Sequence, residues 1–156
     1  MIPRTSSGVI KFRPVRKGSR VALVAPASPF DRAEFDRGVE EIRRLGLEPV
    51  WDEDVFERQP FTAGTPRVRV MALHRAFDKL EADAVVSVRG GYGSVELLPL
   101  LDIERVRLAR TAFVGYSDVT SLHAYFGAVV ASRQCTVRCS RAVSQRDQRP
   151  TIPTPG

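Results

Sequence analysis

The sequence predicts an α/β fold, an open and mostly parallel sheet flanked by helices, and three features carry that expectation. Val21–Ala25 is a short continuous apolar run, and Ala84–Val88, apolar but for Ser87, and Ala112–Gly115 are similar, the pattern of strands covered on both faces rather than on one. Between them apolar residues recur at spacings of three and four, as helices that bury one stripe require. Each run also ends in a loop rich in Pro, Gly, Ser or Asp. Strand–helix alternation at this length gathers such loops beyond the strand ends.

In chain order, a basic arm over residues 1–13 leads to Lys17-Gly18, a turn signal, and then to the first strand at Val21–Ala25. Pro26-Ala27-Ser28-Pro29 breaks that strand, because proline fixes its own φ and withholds a donor. Asp31 is placed to cap a helix with apolar positions Phe35, Val39, Ile42 and Leu45, and Gly46 ends it. Leu47–Val50 reads as a strand that Pro49 confines to a sheet edge. Residues 51–59 are a polar excursion with four acids. Pro66 suits the first position of a second helix, whose face is Val70, Leu73, Phe77 and Leu80. After the Ala84–Val88 strand comes a glycine-rich loop, then a helix or turn as far as Leu101. Ala112–Gly115 is the fourth strand, and Ser117-Asp118-Val119-Thr120 opens a helix running to about Val129.

At 156 residues and 43% apolar, the chain has material for one ordinary core and too little for two. No stretch approaches the roughly 20 apolar residues that span a bilayer, and the basic N-terminus lacks the apolar segment of an export signal. Cys135 and Cys139 are the only thiols, so the body of the fold has no disulfide to depend on; a cytoplasmic protein with no membrane partner is expected. The net charge of +6 invites a nucleic-acid reading, which its distribution opposes. Residues 1–20 hold six bases and no acid, and residues 131–156 hold five arginines against Asp147, so the part between is acidic. With the excess confined to the two ends, no nucleic-acid partner is expected.

Three loops hold the residues with chemical potential. In Phe113-Val114-Gly115-Tyr116-Ser117-Asp118-Val119-Thr120 a short apolar strand delivers a serine to a helix start. A nucleophile elbow presents a hydroxyl in this way, with helix-start N–H groups beside it for an oxyanion. Ser and Asp are also common helix caps, and the second glycine of G-x-S-x-G is lacking, so spacing alone leaves both roles open. Arg89-Gly90-Gly91-Tyr92-Gly93-Ser94 permits positive φ and close approach of N–H groups to an anion. It is equally readable as a strand-to-helix turn, and it is not the dinucleotide fingerprint. Ala25-Pro26-Ala27-Ser28-Pro29 either lines the same crevice or only stiffens a loop. His74 lies in the second helix and His123 six residues past Ser117, off the serine's face, so both read as structural or solvated.

Together these loops resemble the LD-carboxypeptidase family, which includes the microcin-immunity-type peptidases. The matching blocks are Val21 to Pro29, Phe61-Thr62-Ala63-Gly64-Thr65, Val88 to Ser94, Leu98-Pro99-Leu100-Leu101-Asp102 and Phe113 to His123, in that order. The resemblance covers residues 14–129 and implies a Rossmann-like N-terminal domain. It implies Ser117 as the nucleophile that attacks the bond between an L-centre and a terminal D-amino acid in peptidoglycan-derived peptides. It further implies the backbone N–H groups of Gly91 and Asp118 as the oxyanion hole, and the side chains of Arg89, Tyr92 and Ser94 near the substrate. No metal or other cofactor is implied, and full-length members are expected to be homodimers. In that family the general base and its orienting acid are a His and a Glu of a separate C-terminal domain, so this chain alone is expected to be a truncated and inactive peptidase. A non-enzymatic α/β module binding an anionic small molecule or nucleotide through the Gly-rich loop is the other reading open here.

Residues 130–156 differ from everything before them, with neither a 3.6 nor a 2.0 period and with both cysteines. They are expected to be a disordered basic tail read in a displaced frame. Codons permitted for residues 129–156, read one base out of phase, can spell a run containing Thr-Val-His-Gly-Pro-Met, which resembles the segment after the serine helix in the family. Cys135 and Cys139 would then be incidental thiols, since a metal site needs more donors than a pair.

Overall fold

The structure is a computed structural model that describes residues 12–78 and 80–129. Both cysteines, the tail and its expected displaced frame, and most of the basic arm lie outside the described residues. Four strands, β1 (Arg20–Val24), β2 (Glu48–Val50), β3 (Ala84–Ser87) and β4 (Ala112–Val114), form one sheet in the order β2-β1-β3-β4. Every pairing is parallel, so the expected α/β sheet is present and its described strands are wholly rather than mostly parallel. β2 lies at an edge, with Pro49 opposite Val21, as a residue without a donor requires.

The helices are α1 (Arg32–Arg44), α2 (Pro66–Asp78), α3 (Ile103–Ala109) and α4 (Thr120–Val129), with 3₁₀ segments at Glu53–Phe56, Ser94–Leu100 and Ser117–Val119. The Asp31 carboxylate accepts from Ala33 N at 2.9 Å and Glu34 N at 3.1 Å, fixing the start of α1. At its end Gly46 N donates to Arg43 O at 2.8 Å. Phe35 and Val39 are buried as the spacing requires, but Leu45 is 63% exposed. It is the C-cap residue, one position past the last helical turn, and so falls off the stripe. Likewise Leu80 lies beyond the end of α2 and is only partly buried. α3 was not expected from the sequence. Its start is held from outside, because Asp102 N donates to His74 Nε2 of α2 at 2.9 Å while the Asp102 carboxylate caps Glu104 N at 3.2 Å.

β1 divides its side chains between two cores with a period of two. Ala22 and Val24, with Val85 and Phe113, face α2, α3 and α4. There Phe126 meets Phe113 edge-on at 5.5 Å and Phe77 edge-on at 6.0 Å. Val21, Leu23 and Ala25 face α1, where Phe35 packs on Phe30, Trp51 and Phe56 at 5.0–5.2 Å. Beside α1 a groove of about 680 Å³ stays open over Leu23, Val86 and Val88. Because the strands are parallel, the loops after β1, β3 and β4 emerge along one edge of the sheet. Strand order reverses between β1 and β3, the place where an open α/β sheet leaves a crevice.

Candidate active site

The loop after β4 forms a strained elbow. Ser117 has φ +60, left-handed backbone that costs a residue with a Cβ about 1 kcal/mol. Tyr116, not Ser117, is the N-cap residue, and it makes no side-chain cap bond, so the helix-cap reading of the serine does not describe this turn. Ser117 is exposed and directly starts the 3₁₀ turn that leads into α4. The elbow needs close approach on two sides. A Cβ on Gly115 would lie 2.8 Å from Val119 Cγ1, and one on Gly90 would lie 2.9 Å from both Ser117 Cβ and Tyr116 O. Room that the missing second glycine of G-x-S-x-G would give thus comes from Gly90 of another loop.

The loop after β3 is held to its neighbours by contacts only glycine allows. Gly91 has φ +114 and Gly93 φ +96, and a Cβ on Gly91 would overlap Ser28, while one on Gly93 would lie 2.7 Å from Thr62 Cγ2. Ser28 fastens this loop to the one after β1: its hydroxyl accepts from Tyr92 N at 3.0 Å and donates to Phe61 O at 2.9 Å, and Ser28 N donates to Gly90 O at 3.3 Å. Ser94 fastens it to the elbow. Its N–H donates to Asp118 Oδ2 at 2.8 Å, its hydroxyl donates to Asp118 O at 2.8 Å, and the same hydroxyl lies 2.7 Å from Ser121 Oγ.

The structure therefore brings Ser117, Gly91 and Asp118 into one loop cluster. Arg89 and Tyr92 stand on its exposed side; Arg89 Nη1 donates to Pro29 O at 3.2 Å, and Tyr92 is 60% exposed. Ser94 departs from the expectation of a substrate-facing side chain. It is 0% exposed, and its hydroxyl is committed to Asp118 and Ser121, so it joins loops. Phe61, 75% exposed, and Tyr116 add apolar surface near the serine's loops. Among the described residues no three or more His, Cys, Asp or Glu side chains gather as a metal centre requires.

Neither described histidine is poised to take a proton from Ser117. His74 Nε2 already accepts from Asp102 N. His123 is 5% exposed with Nε2 3.2 Å from Gly115 O, and its Nδ1 is buried without a partner among the described residues. Burial pushes both imidazoles below the usual histidine value; Arg105 adds to the effect at His74, and the Gly115 carbonyl opposes it at His123. Both are buried, which leaves the structural one of the two readings, structural or solvated, that their positions in the sequence allowed.

Two residues of this cluster escape sequence reasoning. Ser28 belongs to the loop that either lines the crevice or only stiffens the chain, with no sign that its hydroxyl joins two loops. Arg69 has no place in the sequence reading, yet it is 1% exposed and reaches the loops after both β1 and β3. The usable signal was its spacing: Arg69, Leu73 and Phe77 share one helix stripe at intervals of four.

Comparison with known proteins matches residues 21–134 to the LD-carboxypeptidase N-terminal domain. A putative carboxypeptidase of Streptomyces coelicolor is 39% identical over 120 residues, 73% of this chain and 39% of its own. The murein tetrapeptide carboxypeptidase of Pseudomonas aeruginosa is 36% identical over 108 residues, 69% of this chain and 35% of its own. This chain thus spans less than two fifths of the length of those two relatives. The microcin C7 self-immunity protein, solved with aspartyl sulfamoyl adenosine, superposes with a TM-score of 0.71 at 24% identity, over 78% of this chain and 37% of that one, a likeness of fold.

Proposed function

We propose, on the premise that this chain belongs to the LD-carboxypeptidase family, that it forms the serine-bearing part of an enzyme that hydrolyses L,D-peptide bonds in peptidoglycan-derived peptides. The observation that carries the reading is the left-handed, exposed Ser117 at a strand-to-helix elbow, with Gly90 packed beneath it. Strain of this kind is kept where a nucleophile must stand clear of its own strand.

In this reading the Ser117 hydroxyl attacks the carbonyl of the bond that precedes the terminal D-residue. The Asp118 and Gly91 N–H groups receive the oxyanion, which needs only two convergent donors already in place. Arg89 and Tyr92, on the exposed rim, meet the substrate, with the Arg89 guanidinium suited to the terminal carboxylate. A serine hydroxyl needs a base within hydrogen-bond reach to accept its proton. His74 and His123 are both engaged elsewhere, so the base comes from outside residues 12–129, as the family's C-terminal His and Glu would provide. The packing of Gly90, Gly91 and Gly93 against Ser117, Ser28 and Thr62 favours this reading over a phosphate-binding loop, whose glycines would be left clear for the ligand.

The test joins residues 1–129 to the part of the Pseudomonas aeruginosa murein tetrapeptide carboxypeptidase that lies C-terminal to its matching segment. Release of the terminal D-amino acid from an L,D-linked tetrapeptide is then measured for that chimera, its Ser117→Ala variant and the 156-residue chain. Turnover is expected from the chimera alone, with loss of a triad member removing about 10⁴-fold or more. A chimera whose turnover survives Ser117→Ala would refute the assignment.

A further inference from the structure

Arg69 is the largest fully buried side chain among the described residues, and its guanidinium is bonded to four acceptors on three segments. Nε donates to Gly64 O at 3.2 Å, Nη1 to Pro26 O at 2.9 Å and to Gly93 O at 2.8 Å, and Nη2 to Glu96 Oε2 at 2.5 Å. Pro26 begins the loop after β1, Gly64 closes the turn before α2, and Gly93 lies in the loop after β3. A planar fork with five donors can serve these acceptors together, whereas a lysine ammonium is a compact point donor. An apolar side chain here would leave three carbonyls and the Glu96 carboxylate without these donors, a loss that burial makes costly, so arginine both satisfies these acceptors and connects them.

Those contacts flank the proposed oxyanion donors. Pro26 stands two residues before Ser28, whose hydroxyl takes the Tyr92 N–H and whose bulk abuts Gly91. Gly93 precedes Ser94, whose N–H and hydroxyl both go to Asp118. Arg69 is thus tied directly to the loop after β3 just beyond Gly91, and through Pro26 to the loop whose Ser28 abuts Gly91, and its link to Asp118 runs through Ser94 alone.

We propose that Arg69 is a positioning residue that sets the spacing between the Gly91 and Asp118 backbone N–H groups. What that spacing does for catalysis rests on the carboxypeptidase reading; the clamp itself does not. Misplacement of a reacting geometry by about 1 Å can cost about 100-fold in rate, and such a loss falls on kcat because the oxyanion exists only along the reaction path.

The experiment has two arms. In the chimera of residues 1–129 with the Pseudomonas aeruginosa C-terminal part, Arg69→Lys is expected to lower kcat by about 10- to 100-fold with KM changed less than about threefold, and Ser28→Ala, which removes the hydroxyl's bonds to Tyr92 N and Phe61 O, by about 10-fold. In the 156-residue chain, amide hydrogen exchange is monitored residue by residue. Arg69→Lys is expected to speed exchange at Tyr92 and Ser94 by about 10-fold or more, with the amides of β1 and β3 unchanged. Unaltered exchange at Tyr92 and Ser94, or a loss of protection spread evenly over the sheet, overturns the assignment, as does wild-type kcat in both variants. If the unmodified chimera shows no Ser117-dependent turnover, the carboxypeptidase reading fails, and the exchange arm still decides the role of Arg69.

Discussion

The two faces of the sheet are built differently. On one side α2, α3 and α4 close over Val85 and Phe113, and the aromatic rings of Phe77, Phe113 and Phe126 lie at its centre. On the other, α1 is the sole described helix of the cluster, its aromatic group gathers at the β1 and β2 side, and the floor beneath Val86 and Val88 opens into a groove. The difference tracks the site. The closed face carries the helix that starts at the elbow and the helix that carries Arg69, so the elements that fix loop positions are those with the most surrounding contact. A strained turn persists only when the structure around it over-determines it, and the three-helix face supplies that constraint.

The largest effect that separates the faces is a cavity on each. Phe113→Ala, at a fully buried position, should cost about 4–5 kcal/mol, while Phe35→Ala, whose cavity adjoins the open groove and can relax, should cost about 3 kcal/mol. Urea unfolding midpoints measure both, and a greater loss from Phe35→Ala would reverse the ranking of the two faces.

A smaller effect is expected where the faces meet at the strand ends. Gly90→Ala places a methyl 2.9 Å from Ser117 Cβ and Tyr116 O, and backbone on one side leaves little room to yield. Overpacking of this kind costs about 1–3 kcal/mol, and it should lower chimera turnover further than stability suggests, because it pushes the elbow from the loop that opposes it. Turnover unaffected by a destabilising Gly90→Ala would show that the two loops do not share a site.

The smallest effect is a pH dependence near neutrality that arises from two histidines of the closed face. Burial holds His74 and His123 below the ordinary value of 6.5, so the folded state binds their protons less readily than the unfolded chain. Their contribution to stability is complete above about 6.5 and is lost as pH falls from there toward the folded-state values. For His74 the loss has a structural cause, since protonation of Nε2 removes the acceptor of the Asp102 N–H that starts α3. Unfolding midpoints between about pH 7.5 and 5.5 should decline less steeply in His74→Gln than in the parent, and equal slopes would remove His74 from the account.

Much of this plan was legible in the residues. β1, β3 and β4 announce themselves as mainly apolar runs, with Arg20 and Ser87 only at strand ends, because strands covered on both sides have few polar positions to give, and Asp31, Gly46, Pro49 and Pro66 punctuate the chain through local stereochemistry alone. The elbow and the Gly-rich loop were recognisable as candidates for the same reason. What stayed hidden depends on partners distant in sequence. α3 is seven residues long with Leu108 turned to solvent, too short to show a stripe, and its start is tied to His74, 28 positions earlier. Ser94 looked like a binding residue until its hydroxyl was found committed to Asp118 and Ser121. Arg69 gives no sign of burial in the sequence because a helix charge is ordinarily solvated, and the carbonyls that justify its burial come from three different loops.

On the proposed role of Ser117, stability and chemistry stand in opposition at a single codon. Glycine would occupy φ +60 without the penalty of about 1 kcal/mol that a Cβ incurs there. A library of this chain screened for thermal resistance alone would therefore drift toward glycine at position 117 and discard the hydroxyl while improving its score. Directed evolution of this domain needs a selection that reads the serine itself, because heat tolerance rewards its loss.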